Sequence, residues 1–180
     1  MATLILVRHG ETDWNRDRRV QGQTDLPLNE TGRAQARALA EQLAGTRVDA
    51  VYASDLARAR ETAELLAAQR GLTVTLDPAL REKDFGSWEG LTDVEVLDRF
   101  PDAVRGAWGD AETPDELSAR VLAALERIAA RHPNEHVVVV THGGPVRAVL
   151  RHCSSANDGP IANCHVVRIR VENGVLRAVD

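Results

Sequence analysis

Lysine is almost absent from this 180-residue chain. Lys83 stands alone, and arginine supplies the rest of the 22 basic residues. Against 27 acidic residues the formal net charge is −5. No global basic field therefore exists to hold nucleic acid or an anionic membrane. An arginine-biased genome explains the shortage of lysine better than function does, and local arginines can still dominate a pocket for a small anion. Cysteine is scarce as well: Cys153 and Cys164 are the only two. They form neither a C-x-x-C pattern nor a dense framework, which points to reduced structural thiols in a cytoplasmic protein. Nor is there a long hydrophobic run. The apolar start, Ala2 to Val7, meets charge at Arg8, too soon for a signal-peptide core or a membrane span. The chain has no H-E-x-x-H, and its His and Cys residues between 152 and 165 lack zinc-site spacing, so neither metal nor cofactor is expected. Without repeats, low-complexity tracts or linkers, positions 1–180 read as one domain, long enough for a sizeable core. No segment is so amphipathic that it demands a partner, and oligomeric state stays open.

What is present is an ordinary folded composition, 43% hydrophobic and 27% charged. Thr3 to Val7 suits a buried strand. Asn29 caps a helix from about Glu30 to Ala44, stopped by Gly45. Val48 to Ala53 reads as a second strand, after which Ser54 caps a helix from Asp55 to about Arg70. Thr73 to Leu76 is a third strand. Thr92 with Glu95 and Thr113 with Glu116 are capping boxes; the second, with Pro114 at the first helical position, opens a helix to about Arg131. His136 to Thr141 holds four consecutive valines, the pattern of a central parallel strand covered on both faces. Pro145 opens the next helix. Val167, Ile169 and Val171 alternate with arginines before an Asn173-Gly174 turn into a last strand. The alternation predicts a three-layer α/β/α sandwich around a mostly parallel sheet with an antiparallel edge.

Two strand ends share one layout. Val7-Arg8-His9-Gly10 follows one aliphatic strand and Val140-Thr141-His142-Gly143 another. Ligands of open α/β sheets sit beyond the carboxyl ends of the strands. A histidine just past each strand, followed by glycine, puts both imidazoles on that rim. A lone histidine there reads better as a hydrogen-bonded core residue; the matched pair favours a site. Arg8 is a natural bidentate partner for phosphate oxygens, and Arg58 lies in the first turn of a helix after the second strand. Arg60 and Glu61 read as solvated helix-face residues.

With these blocks in order the chain resembles the histidine phosphatase superfamily, also called phosphoglycerate mutase-like, over nearly its whole length. The resemblance is carried by Leu6-Val-Arg-His-Gly-Glu-Thr-Asp-Trp-Asn15, Gln21-Gly22, Asp25-Leu-Pro-Leu-Asn-Glu-Thr-Gly32, Ser54-Asp-Leu-Ala-Arg58-Ala, Leu80-Arg-Glu82-Lys-Asp-Phe-Gly-Ser-Trp-Glu-Gly90 and Val140-Thr-His142-Gly-Gly144. Asn163-Cys164-His165 resembles a further polar segment, with His165 where a serine is frequent. The resemblance implies His9 as the nucleophile that takes the phosphoryl group, neutral, with one ring nitrogen held by a backbone carbonyl. It implies Arg8, Arg58 and His142 around the phosphoryl oxygens, His142 being protonated beside the anion, and Glu82 as general acid and base. Asn15, Gln21 and the Gly143 amide would be further phosphate or substrate contacts. Trp14, Phe85 and Trp88 would pack in the core with partial exposure to the pocket.

The short interval from Glu82 to His142 resembles the family's phosphatases rather than its mutases, whose longer insertion encloses a bisphosphorylated cofactor. A thin lid from residues 100–112 and 154–163 would admit water. Hydrolysis of a small phosphorylated metabolite is therefore the expected activity. Phosphorylated sugars, phosphoglycerate, nucleotides and ribazole phosphate are all substrates of the kind the resemblance suggests. A cofactor-dependent phosphoglycerate mutase is the alternative, and a non-catalytic phosphate-binding or scaffold module is an alternative of another class. The retention of Arg8, His9, Arg58, Glu82 and His142 together argues against the scaffold.

Overall fold

A computed structural model describes residues 1–102, 110–153 and 159–179. Six strands form one sheet: β1 (Ala2–Arg8), β2 (Ala50–Ala53), β3 (Val74–Leu76), β4 (His136–Thr141), β5 (Val166–Glu172) and β6 (Val175–Val179). Their spatial order is β3-β2-β4-β1-β5-β6. The pairs among β3, β2, β4 and β1 are parallel, whereas β5 and β6 add an antiparallel edge. The expected mixed α/β sandwich is the fold observed.

Alternation within the two central strands explains the layers. Leu4, Leu6, Val137 and Val139 pack on one face with helices α5 (Pro114–Arg131) and α6 (Gly143–His152). Ile5, Val7, Val138 and Val140 pack on the other with α2 (Glu30–Gln42) and α3 (Ala57–Ala68). Burying side chains of this size stabilises by about 1.5–3 kcal/mol each. Both faces being covered, the strands read as apolar runs without polar alternation. Beyond them, Asn173 and Gly174 both adopt positive φ, as the expected tight turn between β5 and β6 requires.

Helix starts follow their sequence signals with two corrections. Thr92 and Thr113 do cap α4 (Asp93–Arg99) and α5 through reciprocal boxes with Glu95 and Glu116. Ser54 does not cap α3: that helix begins at Ala57, Leu56 precedes it without a side-chain cap, and the Ser54 hydroxyl is committed elsewhere. α6 begins at Gly143, with His142 at the cap position, two residues before Pro145. One short helix was not expected: α1 (Asp13–Arg16), opened by a capping box between Thr12 and Asn15. Glu61 is also less solvated than expected, being half-buried and paired with Arg33 at 3.3 Å. The anticipated lid segments lie in large part outside the described residues.

Candidate active site

The register Arg8↔Thr141 aligns the ends of β1 and β4. The His9 amide continues the ladder to the Thr141 carbonyl (3.0 Å), and the Ser54 amide does the same to Val140 (3.0 Å). His9, Ser54 and His142 thus leave three adjacent strands at one rim. Close backbone packing sets the first turn: a Cβ on Gly10 would come 2.5 Å from the Gly32 carbonyl oxygen, and one on Gly32 would come 2.1 Å from that of Glu11. The Gly10 amide donates to Thr62 Oγ1 (3.1 Å), whose hydroxyl donates to the Arg58 carbonyl (2.7 Å). The β1 turn and the first turns of α2 and α3 are thereby locked together.

His9 and His142 are buried, with ring centroids 5.1 Å apart and planes at 62°. His9 Nδ1 lies 2.6 Å from the Gly10 carbonyl, an acceptor that places the proton on Nδ1 and leaves Nε2 with its lone pair. The backbone carbonyl anticipated for this ring is therefore that of Gly10. Burial pushes the His9 imidazole well below its usual range, and the charges of Arg58 and Arg8 push the same way. Both effects keep the ring neutral. His142 is shifted in the same direction by burial, then by Arg58, His9, Arg8 and Arg120. With only these groups around it the ring loses its proton; a dianion among the cations would reverse the sign, and the expectation of a protonated His142 applies to that occupied state.

Arg58 is fully buried at the start of α3, its Nη1 donating to the Thr24 carbonyl (2.8 Å) and Nη2 to that of Gly22 (2.7 Å). Burial lowers its pKa to about 10, although Glu82, Asp25 and Glu89 oppose the shift. Glu89 fastens the 22–24 loop by accepting from the amides of Gln23 (2.8 Å) and Thr24 (2.9 Å). Arg8 donates through Nη1 to the Ile161 carbonyl. Arg8 Nε, Arg58 Nε and His142 Nδ1 are all buried without a hydrogen-bond partner among the described residues. Leaving such groups unpaired costs about 1–3 kcal/mol each, more when charged. Three of them beside a nucleophile-competent imidazole define an anion cradle.

Glu82 meets this cradle from the segment after β3. Both its carboxylate oxygens lie 3.1 Å from the Gly144 amide, and Oε1 also accepts from the Lys83 amide (2.8 Å). A Cβ on Gly144 would fall 2.1 Å from Oε1, so only glycine lets the carboxylate sit on the first turn of α6. Arg120 of α5 holds the segment itself, donating to the carbonyls of Ala79 (3.0 Å), Arg81 (2.8 Å) and Glu82 (2.8 Å) while paired with Glu112. Gly143, Glu82 and Arg8 open into a cavity of about 870 Å³. Phe85 and Trp88 line it, as expected of them, whereas Trp14 packs on Gly90.

Asn15 and Gln21 are near His9 but one step removed. Asn163 Nδ2 bridges the His9 carbonyl (3.0 Å) and Asn15 Oδ1 (3.3 Å), and Thr12 Oγ1 donates to Gln21 Oε1 (2.9 Å). Their amide nitrogens take no part in these contacts. Ser54, Thr62 and Arg120 were not anticipated as site residues. Only Ser54, within the Ser54-to-Arg58 block, carried a visible signal, and it pointed to a helix cap. Among the described residues no group of three or more His, Cys, Asp or Glu is placed to hold a metal ion. No helix is long and apolar enough to cross a membrane.

The fold and this rim define a class: a doubly covered α/β sheet whose strand ends gather two histidines, two arginines and a carboxylate at one site. Residues 4–180 match the model of the histidine phosphatase superfamily (branch 1), and the chain belongs to that family. It is similar to phosphoglycerate mutase-like protein 4 of Arabidopsis thaliana, with 42% identity over 82% of this chain and 69% of the relative. It is also similar to the metal-independent phosphoserine phosphatase of that plant, with 39% identity over 96% of this chain and 79% of the relative. The solved structure of Bacillus stearothermophilus YhfR superposes with a TM-score of 0.91 at 33% identity, covering 99% of this chain and 95% of that one.

Proposed function

We propose that this enzyme hydrolyses small phosphomonoesters through a phosphohistidine at His9. The observation that carries this reading is the trio of unpartnered buried donors, Arg8 Nε, Arg58 Nε and His142 Nδ1, beside a His9 ring whose Nδ1 is tied to Gly10. His9 Nε2 attacks phosphorus as the ester P–O bond breaks. Glu82, in its acid form, gives its proton to the departing alkoxide. Water then attacks the phosphorus of phospho-His9, Glu82 takes a proton from it, and the P–N bond breaks to return neutral His9 and inorganic phosphate. The arginines and His142 oppose the charge on the equatorial oxygens, which supplies most of the catalysis in phosphoryl transfer. Asn15, Gln21 and the Gly143 amide serve as further donors to the phosphoryl group or substrate. Residues 1–180 act as one domain. The two free thiols, Cys153 and Cys164, fit a reducing, cytoplasmic compartment.

Three measurements test this reading. The wild-type protein should release phosphate from O-phosphoserine or p-nitrophenyl phosphate and, when quenched during turnover, carry an acid-labile, base-stable phosphoryl label. His9→Ala should abolish both. Turnover that survives in His9→Ala refutes the covalent route. Interconversion of 2- and 3-phosphoglycerate that depends on added bisphosphoglycerate, without phosphate release, refutes hydrolysis in favour of the mutase.

A further inference from the structure

Glu89 closes a short helical turn, Gly86–Trp88, and its carboxylate is engaged on both sides. Oε1 accepts from the Gln23 amide (2.8 Å) and the Phe85 amide (3.2 Å). Oε2 accepts from the Thr24 amide (2.9 Å) and the Thr24 hydroxyl (2.5 Å). Gly22 makes room for it: φ there is +53°, and a Cβ would fall 1.8 Å from Oε1. Four neutral donors thus hold this carboxylate, and it forms no ion pair among the described residues.

The two sides of the carboxylate lead to different parts of the site. The 22–24 loop supplies the carbonyls of Gly22 and Thr24, which accept from Arg58 Nη2 (2.7 Å) and Nη1 (2.8 Å). They set the plane of the guanidinium, and Nε remains among the unpartnered donors of the cradle. The same loop grips the helix that carries Arg58: Asp25 Oδ1 accepts from the Ala57 amide (2.7 Å), a cap supplied from outside α3. Phe85, by contrast, belongs to the segment that carries Glu82. Gln23 adds a second tie to that segment, its Nε2 donating to the Glu82 carbonyl (3.3 Å). The supports of Arg58 and of Glu82 therefore meet at Glu89.

We propose that Glu89 is a positioning residue that couples the two halves of the reaction, joining the loop that orients Arg58 to the segment that carries Glu82. Phosphoryl clamp and proton donor then keep one fixed spacing. This rests on the phosphatase reading above. A carboxylate suits the task because it accepts on both sides. A glutamine amide must turn its NH2 either to Gln23 and Phe85 or to Thr24, releasing one side whichever way it lies. The charge of Glu89 acts in the same sense. Burial lowers the Arg58 pKa to about 10, and Glu82, Asp25 and Glu89 oppose that shift.

Two probes read the two arms separately. Vanadate, a phosphate analogue, reports the Arg58 arm through its Kd. The ratio of kcat/KM for O-phosphoserine to that for p-nitrophenyl phosphate reports the Glu82 arm, because an alkoxide needs a proton to leave and p-nitrophenolate does not. Glu89→Gln should weaken vanadate binding and lower the ratio, each by about tenfold or more, as expected when positioned groups shift. In an Arg58→Met background the same substitution should leave the vanadate Kd nearly unchanged, since its effect passes through the arginine. Glu89→Asp, which keeps two accepting oxygens, should recover part of both. Thr24→Val removes only the hydroxyl contact and should show both effects in smaller measure, which keeps the test decisive if Glu89→Gln does not fold. An unchanged Kd, an unchanged ratio, or a loss of vanadate affinity that persists in full without Arg58 overturns the coupling. Wild-type protein that turns over neither ester and takes no label on His9 overturns the phosphatase reading and the Glu82 arm with it, while vanadate still decides the Arg58 arm.

Discussion

Ser54 Oγ lies 2.9 Å from His142 Nε2, so the residue that leaves β2 fixes the imidazole that leaves β4. The hydroxyl also accepts from the Leu56 amide at 3.3 Å, which orients it. Donating its hydrogen to Nε2, the hydroxyl sets the neutral ring in the Nδ1–H tautomer, and Nδ1 is the atom without a partner among the described residues. His142 can thus donate to an anion even while uncharged. When the anion raises its pKa, Nε2 protonates as well and Ser54 turns from donor to acceptor.

Ser54→Ala should therefore act through His142 rather than on substrate. The expected result is a fall in kcat of about 10- to 100-fold, by analogy with the loss of a ligand-orienting partner, with KM changed less. Ser54→Thr, which keeps the hydroxyl, should recover most of it. Nitrogen chemical shifts of His142 should show the tautomer preference lost in the alanine variant and kept in threonine. If the ring stays in one tautomer in Ser54→Ala, the positioning role is wrong.

Gly144→Ala separates chemistry from stability. The added Cβ would fall 2.1 Å from Glu82 Oε1, the movable end of a side chain, so the carboxylate yields rather than the helix. Alanine in the first turn of α6 should leave thermal stability unchanged or raise it by up to ~1 kcal/mol. Phosphate release should fall by about 10²-fold or more, because the acid is displaced from the leaving oxygen. Parallel melting curves and turnover of O-phosphoserine check both halves. A variant that melts early, or one that keeps full activity, contradicts the geometry.

Arg120 makes a different kind of prediction. Its guanidinium gathers the Ala79, Arg81 and Glu82 carbonyls and is itself held by Glu112, binding α5 to the segment that carries Glu82. Arg120→Met would strand those carbonyls and the Glu112 carboxylate, a loss of about 2–4 kcal/mol. Urea unfolding should show this as a lower midpoint with an unchanged slope. Arg120→Lys should recover part of the stability but less of kcat, since an ammonium cannot span three carbonyls as a fork does.

These residues also show what the sequence could reveal. The central strands were legible because burial on both faces leaves uninterrupted aliphatic runs at Leu4–Val7 and Val137–Val140. The rim followed from the histidine and glycine after each. The capping boxes at Thr92 and Thr113 were legible because their chemistry lies within four residues. Ser54 was misread because a serine after a strand and before a helix looks like a cap whether or not it caps. Arg120 was invisible: its three carbonyl partners lie about forty positions upstream, and a helix-face arginine carries no mark of such contacts. Local patterns encode local hydrogen bonds, whereas residues that position the site act across the fold.

The buried histidines finally tie the site to acid stability. His9 and His142 both have folded pKa values pushed well below the ordinary ~6.5, first by burial and then by Arg58. Above that value both states hold the rings neutral and neither ring contributes a pH dependence. As pH falls through ~6.5 the unfolded chain binds protons that the folded one refuses, so stability declines with a slope of up to ~1.4 kcal/mol per pH unit for each ring. The decline continues down to the depressed folded values. A saturating phosphate analogue such as vanadate should flatten the part due to His142, because the anion restores that ring's affinity for a proton. Unfolding by urea between pH 7.0 and about 5.0, with and without vanadate, measures both effects. His142→Gln should remove the vanadate-sensitive component, and equal slopes in wild type and His142→Gln would show that the ring is not held neutral by its surroundings.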